Sequence, residues 1–500
     1  MPPDRSRRAT SITYRALTVF IVAGCSAMQG SQTPSDPRPS AGIAMARAGA
    51  RHAAAAHLCD PFQFGARGDG ATLDTSALQS AIDSCAAAGG GTVLLANATF
   101  LSGTITLRSH ITLRIEAGAT LLGSRNDAHY PALHPPTVNT QLTQCRRALV
   151  YAESADDVRI EGGGTIDGNA DFDQWRGMSR PEGERPMAIF TALSRHVRIE
   201  DISVRNAATW AVVNLEVEHL VIRGIAVDSP LGPTHDGIDV VDGHDVLIEN
   251  CTVNTGDDAI CLKSGSARGL HDVTVRHCTI VGAGVANGLK LGTATVGPVH
   301  DIVFEHISIS NAQAAAIAVE SVDGSAVSNL SFRHITLTDV GTPFFMLLGA
   351  RGNAPIGSIR GVVFDHIRGG AMRYPWGSML SGAPADASGR HDLEDVRFSD
   401  IDIAFKGAGP MTGRYVFGSG RDDIERFPEY AGGYPDPKFV FATPASKAEV
   451  TDYQLPGWAF FVRHARGVVF ENCRVAVDGR ETRAAIATKE AVVGGLCIQP

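Results

Sequence analysis

The sequence predicts an all-β protein: a single-domain, right-handed parallel β-helix with a short N-terminal capping helix. Three observations point to this fold. The 500 residues include 54 glycines and only 6% aromatic side chains, a composition rich in turns and small residues. Stretches of alternating apolar and polar residues recur roughly every 22 to 34 residues along most of the chain. None of them is followed by ten or more residues of helical pattern, which argues against alternating strands and helices.

Each recurring stretch has the two-residue period of a β-strand. The stretches are VRIEDISV from Val197, LVIRGIAV from Leu220, VLIENCTV from Val246, VTVRHCTI from Val273, IVFEHISI from Ile302, LSFRHITL from Leu330, VVFDHIRG from Val362, VRFSDIDI from Val396 and VVFENCRV from Val468. A single coil cannot bury its apolar face, whereas stacked coils bury a continuous apolar column. A β-sandwich is the alternative, but hairpin signals such as Asn-Gly are scarce and the repeat is too regular.

The N-terminus is predicted to be an export signal, in which four arginines precede a short apolar segment at 16–24. The segment ends in Val-Ala-Gly-Cys, which resembles the bacterial lipobox; an ordinary cleaved signal is the alternative. We expect 1–25 to be the signal, and the protein to be periplasmic, an outer-membrane lipoprotein, or otherwise secreted. It would contact a membrane only through a lipid on Cys25. Residues 26–57, rich in Ser, Pro, Ala and Gln, are expected to form a disordered tether.

Residues 58–500 are predicted to form the β-helix domain, which begins with a helical cap between Leu73 and Leu95. One helical face carries apolar residues, Asp74 or Thr75 is the expected N-cap, and three consecutive glycines from Gly89 end the helix. The apolar face comprises Ala77, Leu78, Ala81, Ile82 and Cys85. Near the other end, the Gly-, Pro- and Tyr-rich segment 407–450 interrupts the repeat, and it is expected to be a loop excursion or a small inserted subdomain.

Charge and cysteine content exclude some classes of function. The net charge of −9 favours neither nucleic acid nor an anionic membrane as a partner. The nine cysteines permit disulfides in an exported protein but have no zinc-site spacing, and we expect neither a metal nor another cofactor. Histidines that recur at one coil position are predicted to be structural, capping turns or stacking on one another. They are His277, His306, His334 and His366.

Stacking the coils predicts a polar patch, because equivalent positions on successive coils lie about 4.8 Å apart. Four coils align on inward-pointing apolar pairs, namely Ile238 and Val240, Ile260 and Leu262, Leu289 and Leu291, and Ile317 and Val319. We call the resulting group of outward polar residues the acid patch. It contains Asp236, Asp239, Asp257, Asp258 and Lys290, with Asn287 beside it and Lys263 and Glu320 at its edge.

Several carboxylates this close repel one another, so at least one should have a raised pKa and hold a proton near neutral pH. A protonated acid beside an ionised one suits glycoside cleavage: one protonates the leaving oxygen while the other activates water. The alternative is that some of these aspartates cap turns or bind a structural cation.

Several motifs resemble glycoside hydrolase family 28, the polygalacturonase-like β-helix enzymes, and the resemblance covers nearly the whole mature chain. PFQFGARGDGATLDTSALQSAIDSCAAAGGGTVLL is similar to the N-terminal cap of the family, and GGGTIDGNADFDQW to an early coil. THDGIDV and NTGDDAICLKSG match two catalytic motifs, the second being the more specific. The resemblance implies an inverting hydrolase of pectin-type polysaccharide, with Asp257 as the general acid and with Asp236 and Asp258 activating water.

The chain departs from the family pattern around these aspartates. Thr234-His235 replace the usual Asn-Thr, and Ala286-Asn287-Gly288 replace Gly-His-Gly. The usual Arg-Ile-Lys, which grips a galacturonate carboxylate, is replaced by Ala318-Val319-Glu320, so a uronate should be repelled there unless Lys290 supplies the charge. A rhamnogalacturonan-like substrate therefore fits at least as well as polygalacturonan. We expect a monomer whose substrate contacts come from Asp239, Asn287, Lys290, Lys263, Glu320, His235 and Arg351.

Two other functions remain open. In a Ca²⁺-dependent polysaccharide lyase of the same fold, the aspartates of the acid patch would hold the ion, and Lys290 or Lys263 would abstract a proton. The missing histidine and the missing Arg/Lys pair also allow a surface protein that binds pectin without cleaving it.

Overall fold

The structure is a computed structural model that describes residues 57–139, 146–171, 184–232, 234–284, 286–351, 354–375, 377–407 and 457–494, and the backbone of 415–418 and 447–450. The predicted signal, lipobox and tether at 1–56 lie outside this range, so they stay predictions. Among the described residues, no helix is long and apolar enough to cross a membrane.

Strands dominate the described chain. The first group is β1 (Leu58–Cys59), β2 (Asp69–Leu73), β3 (Gly91–Leu95), β4 (Thr99–Ser102), β5 (Ile105–Leu107), β6 (Ile111–Ile115), β7 (Thr120–Gly123), β8 (Ala148–Glu153), β9 (Asp156–Glu161), β10 (Thr165–Asp167), β11 (Met187–Ala192), β12 (Arg195–Glu200) and β13 (Ser203–Arg205). The second is β14 (Val212–Leu215), β15 (Glu218–Arg223), β16 (Ala226–Ser229), β17 (Ile238–Val241), β18 (His244–Glu249), β19 (Thr252–Thr255), β20 (Ile260–Ser264), β21 (Leu270–Arg276), β22 (Thr279–Ala283), β23 (Leu289–Thr295), β24 (Val299–Ser310), β25 (Ala315–Ser321), β26 (Ala326–Thr338) and β27 (Thr342–Leu348). The third is β28 (Ser358–Gly370), β29 (Ser378–Ser381), β30 (Ala383–Asp386), β31 (Gly389–His391), β32 (Leu393–Ser399), β33 (Asp402–Lys406), β34 (Tyr415–Gly418), β35 (Lys447–Val450), β36 (Gly457–Glu471), β37 (Arg474–Asp478) and β38 (Ala484–Gly494).

These strands form the predicted right-handed parallel β-helix. Strands of the large sheet, which excludes β30, β31, β34 and β35, pair in parallel with their counterparts on neighbouring coils, as β14 does with β11 and β17. Three strand columns result, and the longer strands β24, β26 and β28 run through two of them. The alternation in the sequence explains the arrangement, because every second side chain enters the shared core while its neighbours face outward.

The core is a continuous column of inward-pointing apolar side chains, as the repeat predicts. Ile238, Ile260 and Leu289 occupy one register position on successive coils and are almost fully buried. In a second column, phenylalanine rings stack with centroids 4.7–5.0 Å apart. The stacked rings are Phe304, Phe332, Phe364, Phe398 and Phe470.

The N-terminal cap is confirmed as helix α1, Thr75–Ala87, and the five predicted apolar residues are all buried. Asp74 is the N-cap residue, but its carboxylate accepts hydrogen bonds from the backbone of Arg67 and Gly68 rather than from the helix. A disulfide joins Cys59 of β1 to Cys85 of α1. Two short 3₁₀ turns, Pro61–Phe64 and Asp127–His129, complete the described helical segments.

The predicted excursion at 407–450 lies mostly outside the described residues. Within it, β34 and β35 pair antiparallel in a two-stranded sheet separate from the coils. The coil stack resumes at β36, which pairs with β29 and β32.

Candidate active site

The acid patch lies on the outward face of the column that contains β14, β17, β20, β23 and β25. The register matches the predicted stacking: Asp239 pairs with Cys261, Cys261 with Lys290, and Lys290 with Ala318. Side chains separated by some eighty residues of sequence therefore form one row. The predicted convergence of these residues on one face is confirmed.

Two adjacent turns carry the three aspartates expected to do the chemistry. Asp236 lies just before β17, and Asp257 and Asp258 lie just before β20. The turns are hydrogen-bonded to each other, with Gly237 N donating to Asp258 O at 2.9 Å and Asp257 N to His235 O at 3.2 Å. Gly237 permits this approach, because a Cβ atom there would lie 2.4 Å from the carbonyl oxygen of Ala259. The three carboxylates therefore sit on neighbouring coils, and each is at least 95% buried.

Asp258 is oriented by the next coil. Its Oδ1 accepts hydrogen bonds from the Asn287 backbone N at 3.0 Å and from Asn287 Nδ2 at 2.7 Å. Asn287 Oδ1 in turn accepts from Ala315 N at 3.1 Å. A carboxylate oxygen of Asp236, one of Asp258 and the sulfur of Cys261 all lie within 4.8 Å of one another. Asn287, predicted as a substrate contact, thus holds one member of a close carboxylate pair.

Asp257 is held by backbone amides. Its Oδ2 accepts from Thr234 N at 2.8 Å and its Oδ1 from Asp258 N at 3.0 Å. Thr234 has φ of 64°, an unusual left-handed conformation for a β-branched residue. The hydroxyl of Thr234 accepts a hydrogen bond from Arg185 Nη2 at 2.7 Å, and the carbonyl oxygen of Thr234 accepts one from Thr209 Oγ1 at 3.1 Å. These contacts stabilise the strained turn that aims an N–H group at Asp257.

Lys263, expected at the edge of the acid patch, lies at its centre. Its Nζ is 2.5 Å from Asp239 Oδ1, 3.1 Å from Asp236 Oδ2 and 2.7 Å from Cys261 Sγ. It also lies 4.4 Å from the centroid of the Trp210 ring. The alternation of β20 predicts that Lys263 points outward. Its long side chain reaches to Asp236 and Asp239 on the preceding coil, which the register alone does not indicate.

Trp210 and Arg185 were missed by the sequence reasoning. Trp210 lies two residues before Val212, which pairs with Ile238, so it occupies the position of Asp236 one coil earlier. Extending the four-coil alignment by one coil would have placed it in the site. No comparable signal exists for Arg185, which precedes β11 and contacts the side chain of Thr234 and the carbonyl oxygen of Ala208.

Burial sets the protonation of the patch. It raises the pKa of Asp236 well above the usual range, against the attraction of Lys263, and the neighbouring aspartates raise it further. Burial likewise raises the pKa of Asp239 to about 6. Burial alone would lower the pKa of Lys263, but Asp239, Cys261 and Asp236 raise it well above its ordinary value, so the ammonium persists. The raised pKa values of Asp236 and Asp239 agree in direction with the expectation that a carboxyl group of the patch holds its proton more tightly than a free aspartate.

Lys290 of the acid patch and Glu320 at its edge form a hydrogen-bonded ion pair, and both are buried. Ala318 faces outward and pairs with Lys290 of the preceding coil. Phe345 occupies the same position on the following coil. The charge of Lys290 is therefore opposed by Glu320 and is not directed solely at a ligand.

The other predicted contacts differ in position. His235 is buried in the turn before β17, and its Nδ1 lies 3.0 Å from the carbonyl oxygen of Gly232. Arg351 forms an ion pair with Asp323. Its Nε and Nη2 lie 2.9 and 2.6 Å from the two carboxylate oxygens of Asp323. Its role in substrate binding stays a prediction.

Comparison with known proteins places the chain among carbohydrate-active enzymes. The family model of glycosyl hydrolases family 28 matches residues 85–369, more than half of the chain. A Vitis vinifera protein named "Probable polygalacturonase" is 27% identical over 310 residues, which cover 58% of this chain and 63% of the relative. The exo-poly-α-D-galacturonosidase of Dickeya chrysanthemi is 25% identical over 339 residues, covering 51% and 56% of the two chains. Both alignments span less than two thirds of the relative.

A solved structure supports the fold. The exopolygalacturonase of Thermotoga maritima superposes with a TM-score of 0.59 at 22% identity, covering 70% of this chain and 87% of that one.

Proposed function

The chain belongs to the glycosyl hydrolases of family 28, and from that premise we propose that it cleaves glycosidic bonds of a pectin-type polysaccharide with inversion of configuration. The observation that carries the proposal is the convergence of Asp236, Asp257 and Asp258 on one outward face, two of them with oxygens within 4.8 Å. Paired carboxyl groups of unequal proton affinity are the machinery of glycoside hydrolysis. The polygalacturonase names of the relatives support a pectic substrate.

In the proposed mechanism, Asp257 protonates the oxygen of the leaving sugar while Asp236 and Asp258 remove a proton from the attacking water. The amides of Thr234 and Asp258 hold Asp257 in place, and Asn287 orients Asp258. Asp236 must release its own proton before it can accept one from water. Because burial raises the pKa of Asp236, activity should rise with pH through that raised value.

The geometry weakens the two other readings. A Ca²⁺ ion held by Asp236 and Asp239 would have to lie where the Lys263 ammonium already bridges them. The family histidine is absent, but Asn287 in its place keeps Asp258 oriented by two hydrogen bonds. This supports a working catalytic site rather than a surface that only binds.

We propose in addition that the protein acts outside the cytoplasm. The disulfide between Cys59 and Cys85 supports this, because structural disulfides form in oxidising compartments. Cell fractionation of the full-length chain, compared with a Cys25→Ser variant, would show whether a lipid holds it to a membrane.

The test of the catalytic assignment is Asp257→Asn, measured on polygalacturonate and on rhamnogalacturonan oligosaccharides. Loss of the general acid should lower kcat by about 10²- to 10⁴-fold while leaving ligand binding and the melting temperature close to wild type. Asp272→Asn is the matched control, since Asp272 is an exposed carboxylate bonded to His271 outside the patch. The anomeric configuration of the first product, followed by NMR, should be inverted. Full activity in Asp257→Asn, or retention of configuration, would refute the assigned mechanism.

A further inference from the structure

The feature that the proposed mechanism leaves unexplained is a single ammonium shared by two buried carboxylates. Lys263 Nζ lies between Asp236 Oδ2 and Asp239 Oδ1, at 3.1 and 2.5 Å. We propose that Lys263 is a positioning residue that keeps Asp236 available as the base, and that Asp239 competes with Asp236 for the same cation. This inference rests on the proposed function, because it concerns the aspartate assigned there to activate water.

The ammonium of Lys263 contacts these two carboxylates and the sulfur of Cys261, which lies 2.7 Å from Nζ. The Lys263 side chain is 91% buried, and the Trp210 ring covers one side at 4.4 Å from centroid to Nζ. Asp239 is fully buried, and its Oδ2 accepts no hydrogen bond from any described residue. Asp239 therefore depends on Lys263 to keep a negative charge, and it draws the ammonium away from Asp236.

The remaining charged or titratable groups around the trio have other partners among the described residues. Asp257 is bonded to the amides of Thr234 and Asp258, and Asp258 to Asn287. Lys290, on the next coil, is paired with Glu320. His235 bonds Gly232, and the Cys261 thiol lies 3.2 Å from the carbonyl oxygen of Gly292. Lys263 is thus the cation that directly contacts Asp236 in the described part of the site.

The arrangement has two opposite consequences. Without the ammonium, the burial and the neighbouring negative charges would favour the protonated form of Asp236 more strongly. Without the charge of Asp239, Asp236 would be the one carboxylate paired with the ammonium, and its ionised form would be stabilised. Removing Lys263 and removing the charge of Asp239 should therefore shift the protonation of Asp236 in opposite directions.

The experiment measures kcat/KM against pH for Lys263→Met, Lys263→Arg and Asp239→Asn on the preferred pectic oligosaccharide. The acidic limb of the pH profile is the range in which kcat/KM rises with pH as Asp236 loses its proton. This limb should move to higher pH by about 1–3 pH units in Lys263→Met and to lower pH in Asp239→Asn. Lys263→Arg, which keeps the charge, should return the limb to within about half a pH unit of wild type. A purely structural role would lower the rate by one factor at every pH and leave the limb in place.

A matched control is Arg223→Met. Arg223 pairs with Glu200 on the preceding coil and Glu249 on the following coil, so it bridges two carboxylates as Lys263 does. It lies in another strand column. It should change the melting temperature without moving the limb.

The inference would be overturned if the acidic limb stayed at the wild-type pH in both Lys263→Met and Asp239→Asn. Turnover of Asp236→Asn tests the proposed function separately, and its loss would leave that function intact. Retained turnover in Asp236→Asn would overturn both. If Lys263→Met does not fold, the direction of the shift in Asp239→Asn decides, and an unmoved or raised limb there counts against the inference.

Discussion

At the scale of residues, the site departs from the family pattern in the groups around the aspartates. Asn287 stands where the family has a histidine, and it links Asp258 on one coil to Ala315 on another. Glu320 stands where the family has a lysine, and it is paired with the buried Lys290. One substitution keeps a carboxylate oriented, and the other cancels a positive charge that a uronate would otherwise meet.

Glu320→Gln should therefore improve the binding of polygalacturonate. The change removes the negative charge that opposes Lys290 and that repels a carboxylate, while it preserves the shape of the side chain. We expect KM for polygalacturonate to fall by up to about tenfold, which corresponds to about 1.4 kcal/mol, with little change for neutral oligosaccharides. Steady-state kinetics on both substrates measure this effect.

Glu218→Gln serves as the control, because Glu218 lies in another strand column and is 44% exposed. An unchanged or higher KM in Glu320→Gln would mean that no substrate carboxylate approaches Lys290.

At the scale of elements, columns of identical side chains hold successive coils together. His277, His306, His334 and His366 occupy one corner position with φ between 52° and 55°, a left-handed region in which histidine is enriched among non-glycine residues. The rings of His277, His306 and His334 stack with centroids 4.7–5.0 Å apart, and the His366 ring lies tilted at 4.9 Å from that of His334. The predicted structural role of these histidines is confirmed, and the phenylalanine column does the same inside the core.

Phe364→Ala should destabilise the protein strongly. The Phe364 ring is fully buried between Phe332 and Phe398, at centroid distances of 5.0 and 4.7 Å, so the substitution leaves a cavity and breaks the stack. We expect a loss of about 3–5 kcal/mol in the free energy of unfolding, measured by denaturant titration.

Phe64→Ala is the comparison, since Phe64 is 38% exposed and its loss should cost little. Equal effects of the two substitutions would show that the interior column does not determine the stability of the coils.

At the scale of the whole molecule, the end of the coil stack needs protection, because an uncovered coil would expose the apolar core and unpaired strand edges. Helix α1 covers this end with its buried face, and the disulfide joins the helix to β1 across a sequence separation of 26 residues. The cap therefore stabilises the first coils by burial and by a covalent link.

Replacing Cys59 and Cys85 together by alanine should lower the free energy of unfolding by about 2–4 kcal/mol, because the unfolded chain regains the freedom of the closed loop. The melting temperature of the variant should not respond to reductant, whereas that of the wild type should fall towards it. A wild type that is insensitive to reductant under conditions that break the bond would contradict a stabilising role for the link.

The fold and much of the site could be predicted because they follow from local periodicity. Alternation with a two-residue period assigns each side chain to the core or the surface, and the length of the repeat sets which residues stack. Ile238, Ile260 and Leu289 fall in register for that reason, and so do Asp239, Cys261 and Lys290. The apolar face of α1 was equally predictable from its helical spacing.

The sequence by itself thus determined the coil stack, the cap and the row of aspartates, because each depends on spacing along the chain. Only the tertiary structure decided that Lys263 bridges Asp236 and Asp239, that Arg185 stabilises the turn at Thr234, and that Glu320 opposes Lys290. These contacts depend on the direction that a long, flexible side chain takes between coils. That direction is set by the packing and charge of several coils at once, which no single stretch of sequence contains.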